Sequence, residues 1–169
     1  MKTTLLFCTL LLLAGCGNSK KSENINVPSA VKESFSRQFP TASNVKWSME
    51  AENEYEAEYE ANDQKQASNY DGSGKWLVTE TEISESNLPD TVKSALAKEF
   101  EGYKIIKAEK VETPEGTSYE LKFEKGEVTY VADISSAGAI LKSKKEKEDE
   151  DGDEEDEDED EEEEDGDEN

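Results

Sequence analysis

The sequence contains no histidine and only two cysteines, Cys8 and Cys16, among 169 residues. Without histidine the chain cannot form a Ser–His–Asp triad, a Cys–His pair or the commonest zinc sites. The phosphate-binding patterns GxxxxGK[ST] and GxGxxG are also absent. We therefore expect no cofactor, no metal site and no enzymatic activity. A hydrolase that uses a serine and a lysine is the alternative, although no Ser-x-x-Lys motif lies in the strand–turn–helix setting that would favour it.

Long apolar runs are absent except near the N-terminus, where residues 5–14 are almost all apolar and follow Met1-Lys2. This run is too short to span a bilayer, which needs about 20 residues. A charged start, a short apolar run and small residues before a cleavage point predict a secretory signal peptide over residues 1–15. The sequence Leu13-Ala14-Gly15-Cys16 resembles the lipobox of bacterial lipoproteins. That resemblance implies lipidation of Cys16, which would anchor the chain to a membrane.

The two cysteines leave no disulfide for the exported protein. Cys8 would be removed with the leader, and Cys16 would carry lipid. Residues 16–26 are small and polar and predict a flexible tether. We expect a lipid-anchored protein of the cell envelope, placed at the outer membrane and facing the periplasm, with exposure on the cell surface as the alternative.

Positive charge is scarce, with 19 Lys and Arg against 43 Asp and Glu. Most of the excess lies in Glu146–Asn169, where twenty of 24 residues are acidic and one is lysine. Such a block repels itself and has nothing to bury, which predicts a disordered tail over residues 143–169. Three roles stay open for it: solvation, binding of cationic partners, or diffuse and weak calcium binding. The remaining domain is acidic too, which argues against nucleic acid.

A segment of thirteen residues occurs twice between residues 27 and 142, at an offset of 61. Val27–Phe39 and Leu88–Phe100 share a proline at the second position, a Val-Lys pair and a terminal phenylalanine. Both place a large apolar residue at every fourth position, which predicts an amphipathic helix that begins near the proline.

After each copy of this segment the apolar period changes from four to two, which predicts half-buried strands. The apolar residues that alternate with polar ones are Val45, Trp47, Met49 and Ala51, then Tyr55, Ala57, Tyr59 and Ala61, and later Tyr119, Leu121 and Phe123. Short turns between the runs favour antiparallel hairpins. The sequence thus predicts an α+β fold, built from tandem helix-plus-antiparallel-strands repeats at 27–83 and 88–142. We expect one sheet with helices packed on one face and a core shared by both repeats.

Three glutamates on the most regular strand, Glu56, Glu58 and Glu60, raise the question of acid–base chemistry. Their spacing of two places them on the same face of the strand. Nothing close in sequence would desolvate them, so we interpret them as a solvated face.

The Val-Pro and Leu-Pro helix starts, the helices that end near Phe, the Val45-x-Trp47 strand and the Tyr55-x-x-x-Tyr59 strand together resemble the PepSY-like family. The resemblance covers about residues 27–142. That family is described as similar to tandem-repeat β-lactamase-inhibitor proteins, and it has no catalytic residues to transfer. The resemblance implies a non-enzymatic domain that binds or inhibits a protein or peptide. The inhibitor proteins contain disulfides and this chain would not, which is a departure from them.

Four aromatic residues are candidate ligand contacts if they lie on the sheet face that the helices leave uncovered: Trp47, Tyr70, Trp76 and Tyr130. The alternative is that they belong to the core, as aromatic side chains in small domains generally do.

Overall fold

The helices and strands follow the two apolar periods of the sequence. A computed structural model describes residues 25–146, which contain two ten-residue helices and eight strands. In chain order these are α1 (Ser29–Gln38), β1 (Ser43–Ala51), β2 (Glu54–Ala61), β3 (Gln64–Asp71), β4 (Trp76–Glu82), a single 3-10 turn (Glu85–Asn87), α2 (Asp90–Glu99), β5 (Lys104–Thr113), β6 (Gly116–Lys125), β7 (Val128–Ser135) and β8 (Ile140–Lys145). The predicted signal peptide, Cys16, most of the tether and the acidic tail beyond Glu146 lie outside the described residues.

All eight strands form one antiparallel sheet whose spatial order equals their order in the chain. Two-residue turns join β1 to β2 and β2 to β3, and Asn53, Asn62 and Asp63 adopt positive φ there. Asparagine and aspartate tolerate this conformation better than other non-glycine residues. The predicted α+β class is confirmed, with an eight-stranded antiparallel sheet and two helices.

The last strand is longer than the sequence predicted. β8 continues to Lys145, three residues past the predicted boundary at 142, and pairs Lys145 with Tyr130. The backbone N–H of Glu146 then donates to the carbonyl of Thr129 at 2.9 Å. The end of β8 is rich in lysine and has no alternation of apolar residues from which a strand could be predicted. Lysine is nevertheless well suited to an exposed sheet edge, because it discourages pairing with another chain.

A proline stands immediately before each helix. The sequence predicted helices that begin near Pro28 and Pro89, and each proline is the residue that precedes its helix. Their φ/ψ values of −57°/147° and −59°/146° are extended, so the helical conformation begins at Ser29 and at Asp90.

Each helix packs its apolar stripe on a different half of the sheet. The cluster under α1, here called the α1 cluster, has Val27, Val31, Phe35, Ala57, Tyr59, Ala61 and Tyr70 at its centre. The cluster under α2, here called the α2 cluster, has Leu88, Val92, Leu96, Ala108, Tyr119, Leu121, Phe123, Ala132 and Ile134 at its centre. Directly paired residues run from Tyr59 through Gln66, Thr81 and Lys110 to Tyr119. Because direct partners project to the same side, Tyr59 and Tyr119 share one side of the sheet.

The expectation of one shared core is wrong, because the two clusters are separate. Between them, the same side of β3, β4 and β5 carries polar residues: Gln66, Ser68, Thr79, Thr81, Lys110 and Glu112. The Ser68 hydroxyl lies 2.8 Å from that of Thr79 and 3.0 Å from that of Tyr59, and the Trp76 indole N–H donates to Thr79 at 2.8 Å. Buried hydroxyls satisfied in this way are tolerated, but they do not extend an apolar core.

Backbone geometry recurs between the two halves. Phe39 and Phe100 end their helices at φ/ψ of −126°/67° and −125°/65°, and each donates its N–H to the carbonyl four residues earlier at 2.8 Å. Gly74 and Gly138 both have φ of +85°, in turns where each N–H donates 2.8 Å to a carbonyl three residues earlier.

Gly74 is expected to be the most sensitive glycine, because it combines positive φ with close contact to α1. A Cβ at this position would lie 2.5 Å from the carbonyl oxygen of Ala30. We expect Gly74→Ala to lower the free energy of unfolding by about 2–4 kcal/mol, from the left-handed backbone plus displacement of the helix. Urea unfolding measures this change.

Gly102→Ala is the matched control. Gly102 has φ of +78°, but an added Cβ would meet nothing within 4 Å, so only the backbone cost of about 1 kcal/mol should remain. Equal losses for both variants would contradict the packing of the β3–β4 turn on α1.

Candidate functional site

The four aromatic candidates do not lie on the sheet face opposite the helices. Tyr70 is fully buried in the α1 cluster. Trp47 and Trp76 are partly buried and pack against that cluster. The Trp47 ring lies 5.3 Å from that of Phe35. Tyr130 stacks on Phe123 in the α2 cluster, with ring centroids 5.6 Å apart. The condition for regarding them as ligand contacts is therefore not met, and all four belong to the helix-side clusters.

The opposite side of the sheet carries a row of carboxylates across four adjacent strands. Glu82 on β4 pairs directly with Glu109 on β5, which pairs with Glu120 on β6, which pairs with Asp133 on β7. Directly paired side chains have Cβ atoms about 4.5–5.5 Å apart, so neighbouring carboxylates in this row repel one another. We define the acidic face as this row plus two carboxylates on the same side: Glu56, Glu80, Glu82, Glu109, Glu120 and Asp133.

No residue of the acidic face belongs to the α1 or α2 cluster. Even so, its centre is hardly accessible, with exposed fractions of 3% for Glu56, 7% for Glu80 and 5% for Glu109. Side chains on adjacent strands shield one another there. The prediction that Glu56, Glu58 and Glu60 form a solvated face is wrong for Glu56, while Glu58 is half-buried and Glu60 is exposed.

Burial raises the pKa values of three carboxyls on this face. Loss of hydration, reinforced by Glu109, Glu120 and Glu56 and opposed by Lys107, raises the pKa of Glu80 to about 8. The same loss of hydration, with repulsion from Asp133 and Glu109, raises the pKa of Glu120 to about 7. Burial also raises the pKa of Asp133 to about 6, against the opposing lysines of β8. Groups with such shifts mark candidate functional sites.

Lys107, which attracts both Glu80 and Glu120, is already paired with another carboxylate of the face. Lys107 Nζ lies 2.8 Å from Glu109 Oε1, and Lys122 Nζ lies 2.7 Å from Glu146 Oε2. By contrast, the Glu80 carboxyl makes no hydrogen bond and no ion pair with any residue in the described part of the chain. At the other end of the row, Lys142 and Lys144 of β8 attract Asp133.

A pocket of about 240 Å³ opens beside Glu80. Strands β1 to β5 provide its lining, which comprises Asn44, Lys46, Glu58, Tyr59, Glu60, Lys65, Gln66, Ala67, Glu80, Glu82 and Glu109. Five of these are carboxylates and two are lysines, so the pocket is acidic. Within residues 25–146, no group of three or more histidine, cysteine, aspartate or glutamate side chains is arranged to hold a metal ion.

The buried hydroxyls on the helix side offer no obvious nucleophile. Ser68 is fully buried, and its hydroxyl contacts the hydroxyls of Tyr59 and Thr79. Burial raises the pKa of the Tyr59 phenol, so the phenol stays protonated and cannot act as a base near neutral pH.

Across the described residues, no helix is both long and apolar enough to cross a bilayer.

Comparison with known protein families gives a direct match. The family described as "Putative beta-lactamase-inhibitor-like, PepSY-like" matches residues 54–142, which is more than half of the chain. The chain belongs to this PepSY-like family, as the resemblance in its sequence indicated. The family is described by its likeness to inhibitors and not by a catalytic activity. A search of the curated proteins gave no significant match.

Solved structures from Bacteroides share the fold. A BLIP-like protein from Bacteroides fragilis has a TM-score of 0.64 and 24% identity, and the match covers 72% of this chain and 89% of that one. A DUF2874 family protein from Bacteroides ovatus has a TM-score of 0.66 and 22% identity, and the match again covers 72% of this chain and 89% of that one. A structure titled "putative periplasmic proteins" from Bacteroides eggerthii has a TM-score of 0.65 and 20% identity, covering 70% and 88%. At these identities, the likeness concerns the fold.

Proposed function

We propose that this protein is a non-enzymatic lipoprotein of the cell envelope that binds a protein or peptide partner through its acidic face. The observation that carries the proposal is a broad sheet surface, outside both helix clusters, whose central carboxylates are desolvated and crowded. Repulsion of this kind costs free energy of folding, and a bound cationic surface would relieve it. The inhibitor-like description of the family supports a partner that is itself a protein.

The anchor in this proposal is Cys16, lipidated at the end of the leader, with residues 16–26 as a tether to the sheet. Several acyl chains on one residue hold a protein on a membrane stably, where one chain would not. We place the protein at the outer membrane, facing the periplasm. Protease treatment of intact cells tests this placement: protection of the chain supports it, and cleavage before the membrane is opened would contradict it.

The two halves, in this proposal, are tandem copies of one helix-plus-strands module. The matching helix ends at Phe39 and Phe100, and the matching turns at Gly74 and Gly138, support the duplication. Duplication places both helices on one side and leaves a single continuous surface, running from the first copy to the second, for a partner.

Reversing charge on the acidic face tests the proposed function. We expect wild-type protein, used as bait on envelope extracts, to capture a reproducible partner that Glu120→Lys loses, because Glu120 lies at the middle of the carboxylate row. Glu99→Lys, at an exposed position of α2, makes the same change in net charge and should still capture the partner. Quantitative mass spectrometry of the captured proteins is the measurement. A partner retained by Glu120→Lys, or no reproducible partner at all, would contradict the proposed function.

A second candidate function is cation binding by the acidic tail, which is favoured by the twenty acidic residues among its 24. Carboxylate oxygens are natural calcium ligands. However, Asp149-Glu150-Asp151-Gly152 has Lys147 at the first ligand position of an EF-hand loop, so any calcium binding would be diffuse and weak. Calorimetry with calcium should give heat with the full chain and none after truncation. The truncation belongs after Glu146, since that residue pairs with Lys122.

A further inference from the structure

We propose that the pocket beside Glu80 receives a cationic side chain of the bound partner, namely a lysine ammonium or an arginine guanidinium. This inference rests on the function proposed above and adds the chemistry of the partner at one point of the acidic face. Its basis is Glu80 itself, a carboxyl that is 7% exposed, lines an open pocket and has no hydrogen-bond or ion-pair partner among residues 25–146.

The Glu80 side chain is largely buried, yet its carboxyl makes no direct hydrogen bond to the described residues, so its oxygens are accessible from the pocket. Buried acidic groups are generally paired or hydrogen-bonded, because desolvation of the charge otherwise costs several kcal/mol. Elsewhere on this side the sheet supplies such partners: the Asn69 amide donates to Glu54 at 2.8 Å, and Lys107 pairs with Glu109 at 2.8 Å. Glu80 lies between these satisfied groups and lacks an equivalent one. A donor to Glu80 therefore has to enter through the pocket, and a cationic side chain of the partner is the donor that the surrounding carboxylates favour.

The charged groups that face Glu80 favour a cation over an anion or a neutral donor. They come from strands β1 to β6: Lys46 on β1, Glu56, Glu58 and Glu60 on β2, Lys65 on β3, Glu82 on β4, Lys107 and Glu109 on β5, and Glu120 on β6. Lys107 is occupied by Glu109, and Lys65 is exposed. Six further carboxylates against three lysines would repel an anion. An arginine fork could also bridge two carboxylates in this group.

Binding of the cation is coupled to release of a proton. In the empty pocket, burial and the neighbouring carboxylates keep the Glu80 carboxyl protonated at neutral pH, since its pKa is about 8. A cation in the pocket favours the carboxylate, so the O–H bond breaks and the proton passes to solvent as the ion pair forms. Affinity should then rise about tenfold per pH unit below that pKa and level off above it.

A six-residue peptide of alternating arginine and serine is the probe, and the same peptide with citrulline in place of arginine is its neutral control. Titration of isotopically labelled full-length protein, followed by NMR at low ionic strength, reports binding residue by residue. We expect saturable shifts of β3, β4 and β5 amides, which Glu80→Gln weakens about tenfold or more and Glu99→Gln leaves unchanged. Resonances of the acidic tail should respond equally in all variants.

Several outcomes would overturn the inference: shifts confined to the tail, equal affinity of wild type and Glu80→Gln, equal binding of the citrulline peptide, or affinity independent of pH between 6.5 and 8.5. The amide spectrum of Glu80→Gln shows separately whether that variant is folded. Capture of an envelope partner that depends on Glu120 but not on Glu80 would also overturn it, while the proposed function would stand. Binding of the arginine peptide at Glu80 without any envelope partner would support the cation-binding pocket and contradict the proposed function.

Discussion

Replacing Phe123 with alanine is expected to lower the free energy of unfolding by about 3–5 kcal/mol. Phe123 is fully buried at the centre of the α2 cluster, where its ring lies 4.8 Å from that of Phe100 and 5.6 Å from that of Tyr130. The loss combines the transfer of the removed atoms with the cavity that the stacked neighbours cannot fill. Urea unfolding followed by circular dichroism measures it.

The separation of the two clusters predicts how such losses combine. Phe35→Leu and Phe123→Leu lie in different clusters, so their effects should add to within about 0.5 kcal/mol. Phe100→Leu and Phe123→Leu, whose rings are in contact, form the matched pair that should not add. Coupling above about 1 kcal/mol between Phe35 and Phe123 would contradict two separate clusters and favour a common core.

Glu80→Gln is expected to stabilise the protein at alkaline pH while it changes little near pH 5. The pKa of Glu80 is raised from 4.5 to about 8 in the folded state, so the folded protein binds more protons than the unfolded chain between these values. Stability of the wild type therefore falls as the pH rises from about 4.5 to 8. Each pKa unit is worth about 1.4 kcal/mol, and with relaxation of the neighbouring carboxylates we expect a gain of about 2–4 kcal/mol by pH 9.

Urea unfolding of both proteins between pH 5 and pH 9 measures this gain. Some slope should remain in Glu80→Gln, because burial also raises the pKa values of Glu120 and Asp133. Glu99→Gln removes the same charge from an exposed site and should follow the wild-type profile. A gain for Glu80→Gln that is equal at pH 5 and pH 9 would contradict a desolvated, protonated carboxyl.

Local pattern was enough to predict the elements of this fold. The step of four residues from Val31 to Phe35, and its copy from Val92 to Leu96, sets the buried stripe of each helix. The alternation of tyrosine and alanine along β2 predicted which side faces α1. The division of the core was not predicted, because it depends on which side of β3 and β4 residues such as Ser68 and Thr79 lie, and these strands have no clear apolar alternation.

The acidic face could not be predicted, because it exists only across strands. Glu82, Glu109, Glu120 and Asp133 are far apart in the chain, and the register of three strand pairings brings them into one row. Charged residues alternating with apolar ones indicated a polar face but not its burial. That burial comes from side chains on neighbouring strands, which a single strand pattern does not contain. The same reason explains why Glu56 was interpreted as solvated.

The pKa of Glu80 tests the central claim most directly. It can be measured from the pH dependence of the side-chain carboxyl ¹³C resonance, assigned by its absence in Glu80→Gln. We expect a value of about 8 in the free protein and a lower one with the arginine peptide bound. A value near 4.5, unchanged by the peptide, would show a hydrated carboxyl and would contradict the proposal that the acidic face binds a cationic partner at Glu80.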